Sequence, residues 1–159
     1  MRVFVSHASK DHMAVESVHR QLESIGVTSY LAEHDQRAGE RLSQKVEQAL
    51  RGSDLVVAIL TPAGYDSRYV QQELGVARGT GTLIIPLVHP DLTEADLGLL
   101  NDIEYIRFDP STPQDGLASL TERVADLARR QQARQDLIMA GAAVVLVLAL
   151  LYLTPDVGA

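Results

Sequence analysis

The chain has 159 residues, enough for one domain with a core of its own, a formal charge of −7 and no cysteine. That acidic balance argues against a general nucleic-acid binder, which carries a basic patch or stripe. The missing cysteine excludes disulfides, thiolate zinc sites and thiol nucleophiles, and fits a reducing compartment.

Val3-Phe4-Val5 reads as a short strand, cut off by the polar loop Ser6-His7-Ala8-Ser9-Lys10-Asp11. Its apolar run is too short for a secretion signal, so the amino-terminal domain is expected to stay where it is made. Ala14, Val18, Leu22 and Ile25 recur at helical spacing, with Gly26 as the stop. Val27 to Leu31 is a second strand. The polar loop through Glu33 and Gly39 leads into a helix marked by Leu42, Val46, Ala49 and Leu50. Gly52-Ser53-Asp54 ends it, and Leu55 to Leu60 is a third strand. A third helix carries Tyr69 and Glu73 and runs out at Gly79-Thr80-Gly81.

Leu83 to Val88 is a fourth strand, whose Pro86 donates no ladder hydrogen bond and so marks a bulge or a place near an edge. His89 to Asp102 leaves room for a short helix, and Glu104 to Phe108 is the fifth strand. Leu117, Leu120, Val124 and Leu127 mark a last helix. Strands alternating with helices predict an α/β fold with a parallel sheet covered on both faces. Five strands in this sequence fit the flavodoxin-like doubly wound order 2-1-3-4-5.

From Leu137 to Leu153 the chain carries no charged side chain, about the length that spans a hydrocarbon core as a helix. A single transmembrane helix is therefore expected after the sheet. The expected organisation is a domain over 1–128, a basic juxtamembrane segment over 129–136, a span over 137–153 and a short tail over 154–159. Arg123, Arg129, Arg130 and Arg134 precede the span and nothing basic follows it. The positive-inside rule then places the amino-terminal domain in the cytoplasm, on a carboxy-terminal anchor in the lipid bilayer.

In the order 2-1-3-4-5 the ligand crevice lies above the carboxyl ends of strands one and three. Ser6-His7-Ala8 and Thr61-Pro62-Ala63-Gly64 would line it. Tyr69 and Glu73 stand four apart on a helix, so ring and carboxylate share a face beside that mouth. A glutamate on a helix is by default a solvated surface residue, and only its surroundings raise it above that. Rival sites fail on chemistry. A phosphorelay receiver needs acids after strand one and an aspartate ending strand three, where Ser6-His7 and Thr61 stand. The loop after strand one has no glycine for a dinucleotide fingerprint. His7, His12, His19, His34 and His89 form no His-Glu-x-x-His pair, so no metal is expected. Ser6 beside His7 lacks a nucleophile elbow, and adjacent strand-end side chains diverge.

Val3-Phe4-Val5-Ser6-His7-Ala8-Ser9-Lys10-Asp11 resembles the first box of Toll/interleukin-receptor (TIR) domains, especially the bacterial form. Tyr30-Leu31 and the loop ending Arg37-Ala38-Gly39-Glu40 resemble the end of strand two and the BB loop. Leu55 to Leu60 with Thr61-Pro62 is similar to the family's third strand. Ser67-Arg68-Tyr69 with Glu73 is similar to its motif of an aromatic, three spacers and a glutamate. The likeness runs from about Val3 to Pro90, with a weaker tail to about Leu127.

The resemblance implies an enzyme that cleaves the nicotinamide–ribose bond of NAD+, its substrate, with no cofactor. The products would be nicotinamide plus ADP-ribose or a cyclic ADP-ribose, in prokaryotic immune, antiphage signalling. It makes Glu73 the catalytic residue and puts Tyr69 beside the nicotinamide or ribose. It has Ser6, His7, Ala8, Arg37, Ala38 and Gly39 frame the substrate pocket. Some catalytic members carry an acid just after strand two, where this chain has Ala32 and then Glu33. Association with other TIR domains is implied too, as a homo-oligomer on activation. The alternatives are a non-catalytic TIR adaptor acting by TIR–TIR association at the membrane, and an N-glycosidic enzyme of the nucleoside deoxyribosyltransferase kind.

Overall fold

The computed structural model describes residues 1–31 and 44–153, with side chains detailed except at 94–96 and 150–153. The chain folds into strand β1 (Arg2–Ser6), helix α1 (His12–Ser24), β2 (Thr28–Leu31), α2 (Gln44–Arg51) and β3 (Leu55–Leu60). Helices α3 (Pro62–Tyr65) and α4 (Arg68–Thr80), strand β4 (Leu83–Val88), a 3-10 segment (Glu94–Leu100), β5 (Ile106–Arg107) and α5 (Gln114–Leu153) complete it. The five strands are parallel in the order β2-β1-β3-β4-β5, the doubly wound arrangement expected from the alternation of elements.

Residue parity explains the two layers. Successive strand side chains point to opposite faces. Phe4 of β1, Val56, Ala58 and Leu60 of β3, and Ile84 and Val88 of β4 form one cluster with Val46 and Leu50 of α2 and Val70, Leu74 and Ala77 of α4. The odd-numbered Val3, Val5, Leu55, Val57, Ile59, Ile85 and Leu87 are buried as well, facing the other side. Helix α1 buries Ala14, Val15, Val18 and Leu22, and Gln21 on it donates to Thr121 Oγ1 of α5 at 2.7 Å. With both faces covered, the central strands read as unbroken apolar runs.

Three local details refine the expected elements. A short helix, α3, precedes the expected third helix: Thr61 caps α3 by accepting from the Gly64 amide, and Ser67 caps α4 by accepting from the Val70 amide. Helix α4 ends in Gly81 with φ 68, a left-handed cap that glycine adopts without a Cβ clash. Pro86 pairs with Ala58 in a one-to-one register, so there is no bulge. The His89 amide donates to Leu60 O; by alternation the position of Pro86 faces away from β3. On that outer side β5 pairs only with Leu87 and Val88, and the missing amide hydrogen of Pro86 leaves no gap in the ladder. Strand β5 is shorter than the expected Glu104–Phe108. The Asp109 carboxylate accepts from the Ser111 amide at 2.8 Å and turns the chain beyond it. Before it, Arg78 holds Asp102 in a two-nitrogen grip.

The chain divides into two compact units, Met1–Arg123 and Val124–Ala159. In the second, the described residues continue α5. By length and composition α5 is able to cross a membrane: the candidate stretch Gln114–Ala149 contains an 18-residue window of mean hydropathy 1.3, none of it buried by protein. Leu137, Ile138, Met139 and Val144 to Leu148 are all exposed.

Candidate active site

Parity decides what meets at the top of the sheet. Ser6, the last residue of β1, is even-numbered and points with Phe4 to the face covered by α2 and α4. On α4 the buried positions are Val70, Glu73, Leu74 and Ala77, the i, i+3, i+4, i+7 stripe of an amphipathic helix. Glu73 is thus an acid on the apolar stripe, wholly shielded from solvent. The Ser6 hydroxyl donates to its Oε2 at 2.5 Å. β1 lies between β2 and β3, so this pair sits at the topological switch point.

Burial raises the Glu73 carboxyl from 4.5 to about 7, and the Ser6 hydroxyl, which stabilises the ionised form, opposes the rise. The group is therefore poised between charge states near neutral pH. His7 is lowered by burial, against the pull of its hydrogen bond to the Val5 carbonyl and of nearby Asp11. That bond, 3.0 Å long, needs Nδ1–H as donor and so selects one tautomer. Ser6 and His7 diverge, one toward α4 and one back onto its own strand.

An open cleft of about 410 Å³ is lined by Ala8, Ser9, Lys10, Ala63, Asp66, Ser67 and Tyr69, with Ser6 and Glu73 outside that lining. Tyr69 is half-buried and one helical turn before Glu73. The rim is braced. Thr61 Oγ1 donates to the Asp11 carboxylate at 2.9 Å and accepts from the Gly64 amide at 3.0 Å. This ties the loop after β1 to α3. Gly64 has no room for a side chain, because a Cβ there would overlap the Ile59 carbonyl.

Of the residues expected to form the site, Ser6, His7, Ala8, Tyr69 and Glu73 come together at the carboxyl ends of β1 and β3. Arg37, Ala38 and Gly39, with Ala32, Glu33 and Leu42, lie outside the described residues. Lys10, which lines the cleft, and Asp11 were legible in the sequence only as members of the polar loop after β1. Asp11 precedes α1 and Thr61-Pro62 reads as a helix start, but their mutual bond joins residues 50 apart, a distance no local pattern reports. Among the described residues, no cluster of three or more histidine and acidic side chains is able to hold a metal ion.

The comparisons with known proteins agree with this frame. A curated relative from Brachypodium distachyon, named as a probable 2′ cyclic ADP-D-ribose synthase, is 29% identical over 97 residues. The match covers 60% of this chain and 43% of that protein, so the chain spans less than half the relative's length. Among solved structures, the TIR domain of the Toll-related receptor TRR-2 of Hydra magnipapillata is similar at a TM-score of 0.52 and 19% identity. That likeness covers 65% of this chain and 80% of the other. The Clostridium botulinum CMP N-glycosidase BcmB is similar at a TM-score of 0.55 and 23% identity, covering 76% of this chain and 98% of the other. Both likenesses are of fold. The profile described as TIR domain matches residues 3–121, and the chain belongs to the TIR-domain family.

Proposed function

We propose that this protein is a membrane-anchored enzyme that cleaves the nicotinamide–ribose bond of NAD+, with Glu73 as its catalytic carboxylate. The observation that carries the reading is the acid on the apolar stripe of α4, held by Ser6 at the switch point one helical turn from Tyr69, which lines a cleft. The Brachypodium relative, named as a probable 2′ cyclic ADP-D-ribose synthase, supports a reaction that ends in an ADP-ribose product.

The chemistry explains how one carboxylate suffices. Ordinary glycoside cleavage needs an acid for the departing oxygen and a second carboxylate as base or nucleophile. Nicotinamide in NAD+ is cationic and leaves neutral, so no proton has to be supplied. The ionised Glu73 grips the ribose hydroxyls and stabilises the positive charge that develops at C1′ as the bond to nitrogen breaks. Water adding to C1′ gives ADP-ribose, nicotinamide and a proton. An adenine or ribose atom of the same molecule adding instead gives a cyclic ADP-ribose.

In this reading α5 anchors the domain, and the arginines before the span keep it in the cytoplasm. Confinement to a bilayer raises the effective concentration of domains, and association with neighbouring TIR domains, including the segment around Arg37-Ala38-Gly39, completes the pocket. The biological setting we propose is a prokaryotic immune, antiphage response.

Substrate discrimination tests the proposal. The full chain in vesicles releases nicotinamide from NAD+, more strongly at high surface density, and leaves NADH intact because dihydronicotinamide is not a cationic leaving group. Cleavage of CMP in place of NAD+ would move the protein to another N-glycosidic chemistry. Self-association without any cleavage would make it an adaptor.

A further inference from the structure

The resemblance places Ser6 among the residues that meet substrate, but its surroundings give it another part. Ser6 and Glu73 are both wholly buried, and neither is among the residues that line the cleft. A hydroxyl has one proton to donate, and that of Ser6 goes to Glu73 Oε2 at 2.5 Å. A hydrogen bond from a hydroxyl to a carboxylate is roughly twice as strong as one to a neutral acceptor, so this bond favours the ionised acid while burial favours the neutral one.

The elements packed against α4 are β1, β3, β4, α2 and α3. Their titratable side chains are Arg2 on β1, Lys45, Glu47 and Arg51 on α2, and Tyr65 on α3, with His7 next to Ser6; β3 and β4 carry none. On α4 itself stand Arg68, Tyr69 and Arg78. Among the described residues, the influences on the charge of Glu73 are burial and Ser6.

From this geometry we infer that Ser6 is a positioning residue: its one hydroxyl proton, given to Glu73, fixes the rotamer of that acid and favours the carboxylate form that NAD+ cleavage requires. Its effect on the reaction rests on the proposed role of Glu73. Its effect on the charge of Glu73 does not, and is measurable with no substrate present.

The test is a carbon-13 titration of the Glu73 carboxyl in the full chain in detergent micelles, its resonance assigned by loss in Glu73→Gln. In Ser6→Ala the midpoint rises by about one pH unit, a tenfold smaller ionised fraction on the acid side. Ser6→Cys, with a weaker donor of similar size, falls between and carries the measurement should the alanine variant fail to fold. In the nicotinamide-release assay near pH 6, kcat falls about tenfold while KM holds, and the acid limb of the profile moves with the carboxyl midpoint. An unmoved midpoint in a folded variant overturns the inference, as does a change confined to KM. A moved midpoint in a protein that cleaves no NAD+ refutes the enzymatic reading and leaves the control of Glu73 by Ser6 standing.

Discussion

Replacing Glu73 by glutamine is expected to make the folded chain more stable at alkaline pH. Burial lifts the carboxyl from 4.5 to about 7. At about 1.4 kcal/mol per pH unit, ionising it in place costs the folded state about 3 kcal/mol. Between those two pH values the folded chain holds a proton that the unfolded chain has lost, so stability falls as pH rises. The favourable contribution is complete below about 4.5 and gone once pH has passed about 7. Glutamine has no charge to bury and still offers Ser6 an oxygen acceptor. The variant therefore stands within about 1 kcal/mol of the parent near pH 5 and exceeds it at pH 8 by up to about 3 kcal/mol. For a chain of this size that is roughly 6–12 °C in Tm. Thermal unfolding of both proteins in detergent, followed by circular dichroism at pH 5, 6, 7 and 8, measures the difference. A gap that stays constant with pH, or a glutamine variant less stable at pH 8, would refute the reasoning.

Thr61→Val removes the hydroxyl that joins Asp11 to the Gly64 amide and should cost about 1–2 kcal/mol, read by urea denaturation. Gly64→Ala drives a methyl group into the Ile59 carbonyl; the expected loss is about 1–3 kcal/mol, and an unchanged denaturation midpoint would show that α3 shifts freely. Full-length protein should fractionate with membranes and need detergent for release, and its amino-terminal domain should be digested only by protease on the cytoplasmic side. Recovery in the soluble fraction would remove the anchor.

The strand order and the position of the crevice were legible because they follow from alternation and apolar runs, which are local. The two-layer packing was legible for the same reason, since strand parity sorts Phe4, Val56 and Ile84 from Val3, Leu55 and Ile85. Glu73 was flagged by its spacing from Tyr69, yet its burial had a plainer signal in the stripe Val70, Glu73, Leu74, Ala77. What stayed hidden depends on contacts across the chain. The bond from Ser6 to Glu73 joins residues 67 apart, and the grip of Arg78 on Asp102 that precedes β5 joins residues 24 apart. The short helix α3 was readable in principle from the cap Thr61 with Pro62 after it. The residues Arg37, Ala38 and Gly39 lie outside the described residues, so their part in the pocket rests on the resemblance alone.

The central claim is that Glu73 performs NAD+ cleavage, and the most direct measurement is nicotinamide release by the full chain on vesicles at high surface density, compared with Glu73→Gln. The account predicts release by the parent and a loss of at least about a hundredfold in the variant, whose fold is shown intact by its greater stability at pH 8. Equal release from the two proteins, or none from the parent, would contradict it.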